Sequence, residues 1–366
     1  MKIQNDIILF YREHEAKAFL KRIWGRKPVF LCVIGVTETA KIPGISAAGK
    51  TPELTDYTPP ADVEYLLLGK CICIPGVPVT PEGIPTPALI TRVAVRLADI
   101  PVFIVGSGLR IEPRVPFFKL AGSPGRDIRT GRAVKGVKEV LSQAEILGTT
   151  LAKLADYLII GESIPGGTTT ALAVTLAMGF DTKGKVSSSM PDNPHELKVK
   201  TVLEGLKAAG LRMGDLREKP IEAISHVGDP MMPAFAGLVM GAARRIPVLM
   251  AGGTQMGAIL AIINALNPDT LTNVAIGTTK WIVADRSSDL KGIVKQITDI
   301  PILAANLDFS ESRFEGLKAY ERGVVKEGVG AGGAVIAAIA KTRGTVTCRE
   351  ILKEVEEDYR RLIRIR

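Results

Sequence analysis

The sequence predicts an α/β protein with a doubly wound, mostly parallel sheet flanked by helices, and three observations carry that prediction. An apolar run, a glycine-containing turn and a helical pattern recur in that order along much of the chain. Strands separated by helices need right-handed crossovers and therefore pair in parallel. Apolar residues are 46% of the 366 residues but aromatic ones only 5%, with 37 glycines, which suits small side chains packed between helices and a sheet rather than an aromatic-cored sandwich. The clearest single unit, residues 157–180, runs from an apolar strand through Gly-Glu-Ser-Ile-Pro-Gly-Gly into three threonines and an Ala-rich helix.

The strand candidates are residues 29–35, 101–106, 157–161, 223–228, 247–252 and 273–277, each ending in a glycine turn. In such sheets ligands sit at the carboxyl ends of the strands, so function is sought in those turns. Residues 41–87 are rich in proline and glycine and too long for a plain connector; they are either a substrate-covering excursion or a surface loop. Residues 246–268 carry no charge over a length able to span a bilayer. Gly252, Gly253, Thr254, Gln255 and Asn264 interrupt them, however, and they read as strand, turn and a helix at 256–266. The first 25 residues and those from 308 onward are charged and helical in pattern. The expected division is thus an α/β core over 26–307 and a small helical unit from the two termini, 1–25 plus 308–366, which contributes Glu327.

The formal charge of +9 comes from lysines and arginines scattered among acids, with no basic run interleaved with aromatics. That pattern argues for an anionic small-molecule substrate and against nucleic acid or membrane as partner. The four cysteines (Cys32, Cys71, Cys73, Cys348) lack metal-site spacing and read as buried thiols in a reducing compartment. The amino terminus has no signal-like apolar stretch, so the expected location is the cytoplasm. The three histidines and four cysteines make no zinc constellation, and neither GxSxG nor GxxxxGK[ST] occurs, which disfavours a metallohydrolase, a serine esterase and a P-loop NTPase.

Four stretches carry chemistry. In the first, the turn before Thr168, Thr169 and Thr170 offers unpaired N–H groups at a helix N-terminus, with Gly166 and Gly167 allowing close approach of a phosphate. Glu162 conflicts with a pure phosphate cradle unless it holds a hydroxyl or orders the loop. In the second, Glu327 precedes a run from Gly328 to Gly333 that imitates a dinucleotide fingerprint. Only Val324 and Val325 stand before it where a strand is required, so NAD binding is disfavoured, and Glu327 either caps the helix or faces a ligand as general base. In the third, His226 lies in a predicted strand as a core or catalytic residue and Asp229 caps the next helix. The Gly252-Gly253 turn that follows is phosphate-loop-like, but without the paired acids of metal-pyrophosphate chemistry. In the fourth, Ser187, Ser188 and Ser189 precede a helix carrying Lys198 and Lys200, which reads as a phosphate site or a flexible loop.

Taken together, residues 122–338 resemble the nicotinate-nucleotide:dimethylbenzimidazole phosphoribosyltransferases of cobalamin assembly, in particular a divergent archaeal-type branch. GESIPGGTTT resembles that family's Gly-Glu-Met-Gly-Ile-Gly-Asn-Thr-Thr, HVGDPMMPAFAGLVMGAARRIPVLMAGG its Gly-Gly, Ala-Gly-Ala and Arg-Ile-Pro-Val stretch, and KEGVGAGGAVIAA its Leu-Gly-Glu-Gly-Thr-Gly-Ala-Ala. The resemblance implies that Glu327 is the catalytic base, that Glu162 is the acid of the first motif, and that Gly166, Thr168 and Thr169 lie on the phosphate side. It implies that Lys198, or Lys200 after one step of register, is directed at phosphate. Ile164 and Pro165 depart from the motif, Ser187 to Ser189 replace an Arg-Gly-Thr-Gly-like loop, and the amino-terminal quarter, part of the family's base pocket, matches poorly. The implied reaction is transfer of phosphoribose from nicotinate mononucleotide to a benzimidazole or purine-like base, giving an α-ribazole-type phosphate, with no cofactor and no metal, in a homodimer. The alternative is a nucleotide-binding sensor of the same fold without turnover.

Overall fold

The computed structural model describes residues 5–49, 51–80 and 82–364. The first four residues of the expected terminal unit, its last two, and Lys50 and Pro81 of the Pro/Gly-rich segment lie outside the described residues. The chain opens with β1 (Ile7–Tyr11), α1 (Glu13–Ile23) and β2 (Pro28–Ile34), then α2 (Thr58–Leu68), α3 (Ala88–Leu97), β3 (Val102–Gly106) and β4 (Phe118–Lys119). It continues through α4 (Val137–Leu151), β5 (Tyr157–Ser163), α5 (Gly167–Ala177), α6 (His195–Ala208), α7 (Pro220–Val227), α8 (Met231–Ala243) and β6 (Val248–Ala251). After α9 (Met256–Leu266) come β7 (Val274–Thr279), α10 (Lys280–Val283), α11 (Leu290–Ile297) and β8 (Ile302–Ala305), and the chain closes with α12 (Glu315–Lys318), α13 (Ala331–Lys341) and α14 (Cys348–Arg364).

One eight-stranded sheet takes the order β1-β8-β7-β6-β5-β2-β3-β4, parallel throughout except for β1 against β8. Central strands are apolar on both faces because helices cover both. In β2, Val29, Leu31 and Val33 pack with α4 to α9 and α11, while Phe30, Cys32 and Ile34 pack with α1, α2, α3, α13 and α14. From β2 the chain moves outward to β3 and β4, then returns to the other side of β2 and continues through β5 to β8. The order therefore reverses between β2 and β5, and it is outside the carboxyl ends of such a strand pair that an open α/β sheet forms its ligand crevice. Among the described residues no helix is long and apolar enough to cross a membrane.

Three sequence expectations are corrected. Residues 223–228 are not a strand: Pro220 sits in the first turn of α7, and Ala223, Ile224 and Val227 form its buried stripe. His226 is accordingly helical, with Nδ1 2.8 Å from the carbonyl of Gly131. The terminal segments are not a separate helical unit, because Ile7–Tyr11 is an edge strand on β8 and α13 lies directly on the sheet. The segment over 41–87 is more than a surface loop, since it contains α2 with Pro59 and Pro60 in its first turn.

Close packing by α13 explains the glycine run that imitates a dinucleotide fingerprint. A Cβ on Gly332 would lie 2.0 Å from the carbonyl carbon of Thr278, and one on Gly333 2.3 Å from Cβ of Ala251. Those glycines let a helix press on the strand ends. Overpacking costs about 1–3 kcal/mol where side chains can shift, and at Gly332 the obstacle is backbone. Gly332→Ala is therefore expected to lower the unfolding free energy by at least that amount and so to lower the denaturation midpoint; an unchanged midpoint in a denaturant titration would contradict the packing described.

Candidate active site

A cleft of about 990 Å³ of empty space, its open mouth included, lies over the β2–β5 reversal. One half is lined by Pro165 to Thr168, Ser187 to Ser189, Gly253 and Gln255; the other by Ile45 to Gly49, Asp62, Pro78 to Thr80 and Ile84 to Pro87. The Pro/Gly-rich segment thus forms a wall of the cleft. Glu162, at the end of β5, and Glu327, in the loop before α13, both line it.

The first half is built on the N-terminus of α5. Gly166 takes φ +78° as that helix begins, a conformation natural to glycine, and a Cβ there would meet the Cα of Ala40 at 3.0 Å. Lys198 is fully buried behind this wall, donating from Nζ to Thr168 Oγ1 at 2.8 Å and to the Ser187 carbonyl at 2.6 Å. Burial, and then the neighbouring charge of Lys326, bring its ammonium down to about 7. Lys200, two residues on, is exposed on the opposite face of α6. Ser188 donates to Asn193 Oδ1 at 2.7 Å, Ser189 Oγ accepts the N–H of Ala47 at 3.1 Å, and the Ser187 N–H donates to Thr254 Oγ1 at 2.9 Å. The serine turn is therefore held, not loose. Gly253 lines the cleft beside Glu327, whereas the N–H of Gly252 bonds back to Gly277 in β7. Thr169 is buried away from the cleft and its hydroxyl has no partner among the described residues.

Among the described residues three carboxyls line the cleft, Glu162 and Asp62 buried and Glu327 half-buried, and buried Asp229 lies close enough to act on Glu162. Burial pushes Glu327 up to about 8, although its carboxylate accepts the N–H groups of Gly328 at 3.1 Å and Gly332 at 3.2 Å. Glu327 thus caps the start of α13 and also lines the cleft. Burial, then the charges of Glu327 and Asp229, hold Glu162 well above the usual carboxyl range against bonds from the Ile164 N–H and the Gln255 side chain. Asp229 is raised to about 6 by burial; it caps α8 through the N–H groups of Met231 and Met232 and accepts the Thr170 hydroxyl. Asp62, likewise raised to about 6 by burial, accepts the hydroxyls of Thr86 and Ser163. Among the described residues no group of three or more His, Cys, Asp or Glu side chains is placed to hold a metal ion.

The loop carrying Glu327 is strained and tied. Val325 and Val329 both sit at positive φ, 53° and 52°, where a β-branched residue is a true outlier costing on the order of 1–3 kcal/mol. The Val325 N–H donates to the Ser189 carbonyl and the Val329 N–H to the Glu162 carbonyl, each at 2.9 Å; the Val329 carbonyl accepts the Thr91 hydroxyl at 2.9 Å. Between them, buried Lys326 pairs with Asp285 at 2.7 Å. Burial raises the Asp285 carboxyl, but hydrogen bonds from Lys326 and Ser287 outweigh it and hold the group well below its ordinary range. The structure thus brings Glu162, Glu327, Gly166 to Thr168, Ser188, Ser189 and Gly253 to one cleft, with Lys198 behind its wall. The sequence reading missed Asp62, Ser163, Thr86, Gln255 and the Lys326–Asp285 pair. A lone acid in the apolar run Pro59 to Val63 was the available signal for Asp62.

Comparison with known proteins bears on the family and the fold. The model of a family described as "Phosphoribosyltransferase" matches residues 93–305. A UPF0284 protein of Sulfurisphaera tokodaii is 50% identical over 337 residues, covering 92% of this chain and 94% of that protein. Another, from Methanopyrus kandleri, is 46% identical over 351 residues, covering 94% and 91%. Two crystal structures from Thermus thermophilus share the fold at 17% identity. One, described as a nicotinate-nucleotide-dimethylbenzimidazole phosphoribosyltransferase, has a TM-score of 0.55 and covers 89% of this chain and 85% of its own; the other, described as CobT, has a TM-score of 0.57 and covers 91% of each. With the family match spanning more than half of its length, the chain belongs to the phosphoribosyltransferase family.

Proposed function

We propose that this protein transfers the phosphoribosyl group of nicotinate mononucleotide to a ring nitrogen of a benzimidazole or purine-like base, releasing nicotinate and an α-ribazole-type 5′-phosphate. The same proposal includes the homodimer that the family resemblance implies. The observation that carries it is Glu327: a carboxylate in the cleft, fixed by two backbone N–H bonds, with burial setting its ionisation close to neutral pH. A module that only binds a nucleotide could use the helix cap, but has no need for that cap to face the cleft with its ionisation near neutral pH.

The acceptor nitrogen attacks C1′ as the bond to the pyridinium nitrogen breaks, and that bonding pair neutralises the leaving ring. Attack from the opposite face turns a β- into an α-glycosidic bond. The proton on the acceptor nitrogen passes to Glu327, and a base whose pKa lies near the working pH does this best. Glu162 remains protonated beside it, so the two carboxyls divide the work as environment dictates: one accepts the proton, the other offers a hydrogen bond to a ribose hydroxyl. The phosphate would lie at Gly166 to Thr168 and Ser187 to Ser189, with the Lys198 charge behind Thr168.

Nicotinate release from nicotinate mononucleotide, assayed with a panel of benzimidazoles and purines, tests the reading; no release with any base overturns it. Glu327→Gln is expected to lower kcat by about 100- to 10,000-fold while donor binding stays within a few-fold, and a parallel loss of both would remove Glu327 as base. The pH dependence of kcat/KM follows from the same groups. Activity needs Glu327 ionised and Lys198 protonated, so it falls on the acid side as Glu327 takes up a proton and on the alkaline side as Lys198 loses one. The expected profile is a bell centred between about 7 and about 8. Glu327→Gln should keep only the alkaline fall; a flat wild-type profile from about pH 6 to 9 would contradict the assignment.

A further inference from the structure

We infer that Asp62, Ser163 and Thr86 form the edge of the cleft that selects the acceptor base, favouring bases with an amino or hydroxyl donor on the ring edge remote from the attacking nitrogen. This inference rests on the phosphoribosyl-transfer reading above.

Asp62 lies in α2, is 3% exposed, and lines the cleft together with Ser163 and Thr86. Its Oδ1 accepts the Thr86 hydroxyl and its Oδ2 the Ser163 hydroxyl, each at 2.7 Å. A hydroxyl has one proton. With both protons committed to Asp62, the oxygens of Ser163 and Thr86 turn only lone pairs toward the cleft, and Asp62 itself has only acceptor sites to spare. Ser163 follows Glu162 in β5 and projects to the opposite face of the sheet, and both side chains line the cleft where the strand ends.

Beside this edge Pro78, Val79, Ile84, Pro85 and Pro87 give the cleft an apolar surface on which a flat ring can lie. Among the described residues no lysine, arginine or aromatic side chain lines the cleft. A buried edge made only of acceptors is costly to leave unmatched. A base with a donor pairs with it; one whose far edge carries hydrogen or methyl groups displaces its water and returns nothing. Burial lifts the Asp62 carboxyl only to about 6, so it stays an acceptor at neutral pH.

The test compares matched bases that differ only by the donor: adenine with purine, and 5-hydroxybenzimidazole with benzimidazole. Nicotinate release is measured at saturating nicotinate mononucleotide. The expected kcat/KM ratio within each pair is about ten- to a hundredfold in favour of the donor-bearing base, the size that one unpaired buried polar group commands. In Asp62→Asn the amide must donate to one hydroxyl and reorient it, so both ratios should shrink toward unity while KM for the mononucleotide is kept. Ser163→Ala removes the hydroxyl but frees Oδ2 of Asp62 to accept in its place, so the donor preference should persist in that variant. Equal turnover within each pair by the wild-type protein overturns the inference, as does a variant that slows both members alike, which is what a purely structural role for Asp62 would give. Release with none of the four bases would instead sink the transfer reading on which it stands.

Discussion

Gly161 and Gly330 approach so closely that a Cβ on either would lie 2.8–2.9 Å from the Cα of the other, and the position of Glu327 depends on that approach. It lets α13 begin directly on the end of β5, where the Val329 N–H reaches the Glu162 carbonyl. The loop is thereby stretched between a strand end and a helix start, with Val325 and Val329 in left-handed conformations on either side of Lys326 and Glu327. Strain of this kind persists only where surrounding structure over-determines it, and here backbone bonds at both valines and the buried Lys326–Asp285 pair do so. The Glu327 carboxylate then falls within reach of the α13 N-terminus and of the cleft at once.

That placement sets an electrostatic conflict that the rest of the cleft resolves. Glu327 and Asp229 lie close enough to Glu162 to raise it, and Asp62 is buried in the other half of the same cleft; full ionisation of all of them in a poorly screened interior would be costly. Helix N-termini, hydroxyls and the Gln255 side chain supply hydrogen bonds, and protonation absorbs the remainder. Under the proposed reaction, a substrate bearing a cationic pyridinium would enter a site whose carboxyls favour positive charge, with buried Lys198 on the side proposed for the phosphate. The surface cations behind the formal charge of +9 have little part in this.

Much of this was legible in the sequence wherever the signal is local. The turn at residues 161–167 and the helix at 256–266 follow from an apolar run broken by glycine, and Glu327 stands out as an acid entering a glycine cluster. Strand β8 is four residues behind a proline, β4 is two residues, and β1 is an edge with one buried side chain, so none has a strong apolar period. Choosing between Lys198 and Lys200 needed the helix register, since residues two apart face opposite ways. Asp62 was invisible for a different reason: its partners Thr86 and Ser163 are 24 and 101 residues away. Only the fold brings them together.

The tied, strained loop holds the half-buried Glu327 carboxyl in a desolvated position that brings its ionisation near neutral pH, and the proposed chemistry of the cleft turns on that property. Infrared difference spectra between the wild-type protein and Glu327→Gln, recorded across pH, read that group directly. The expected result is a protonated carboxyl band assigned to Glu327 that disappears with a midpoint near about 8. A band that is gone by about pH 5, in the ordinary range for a glutamate, would contradict it.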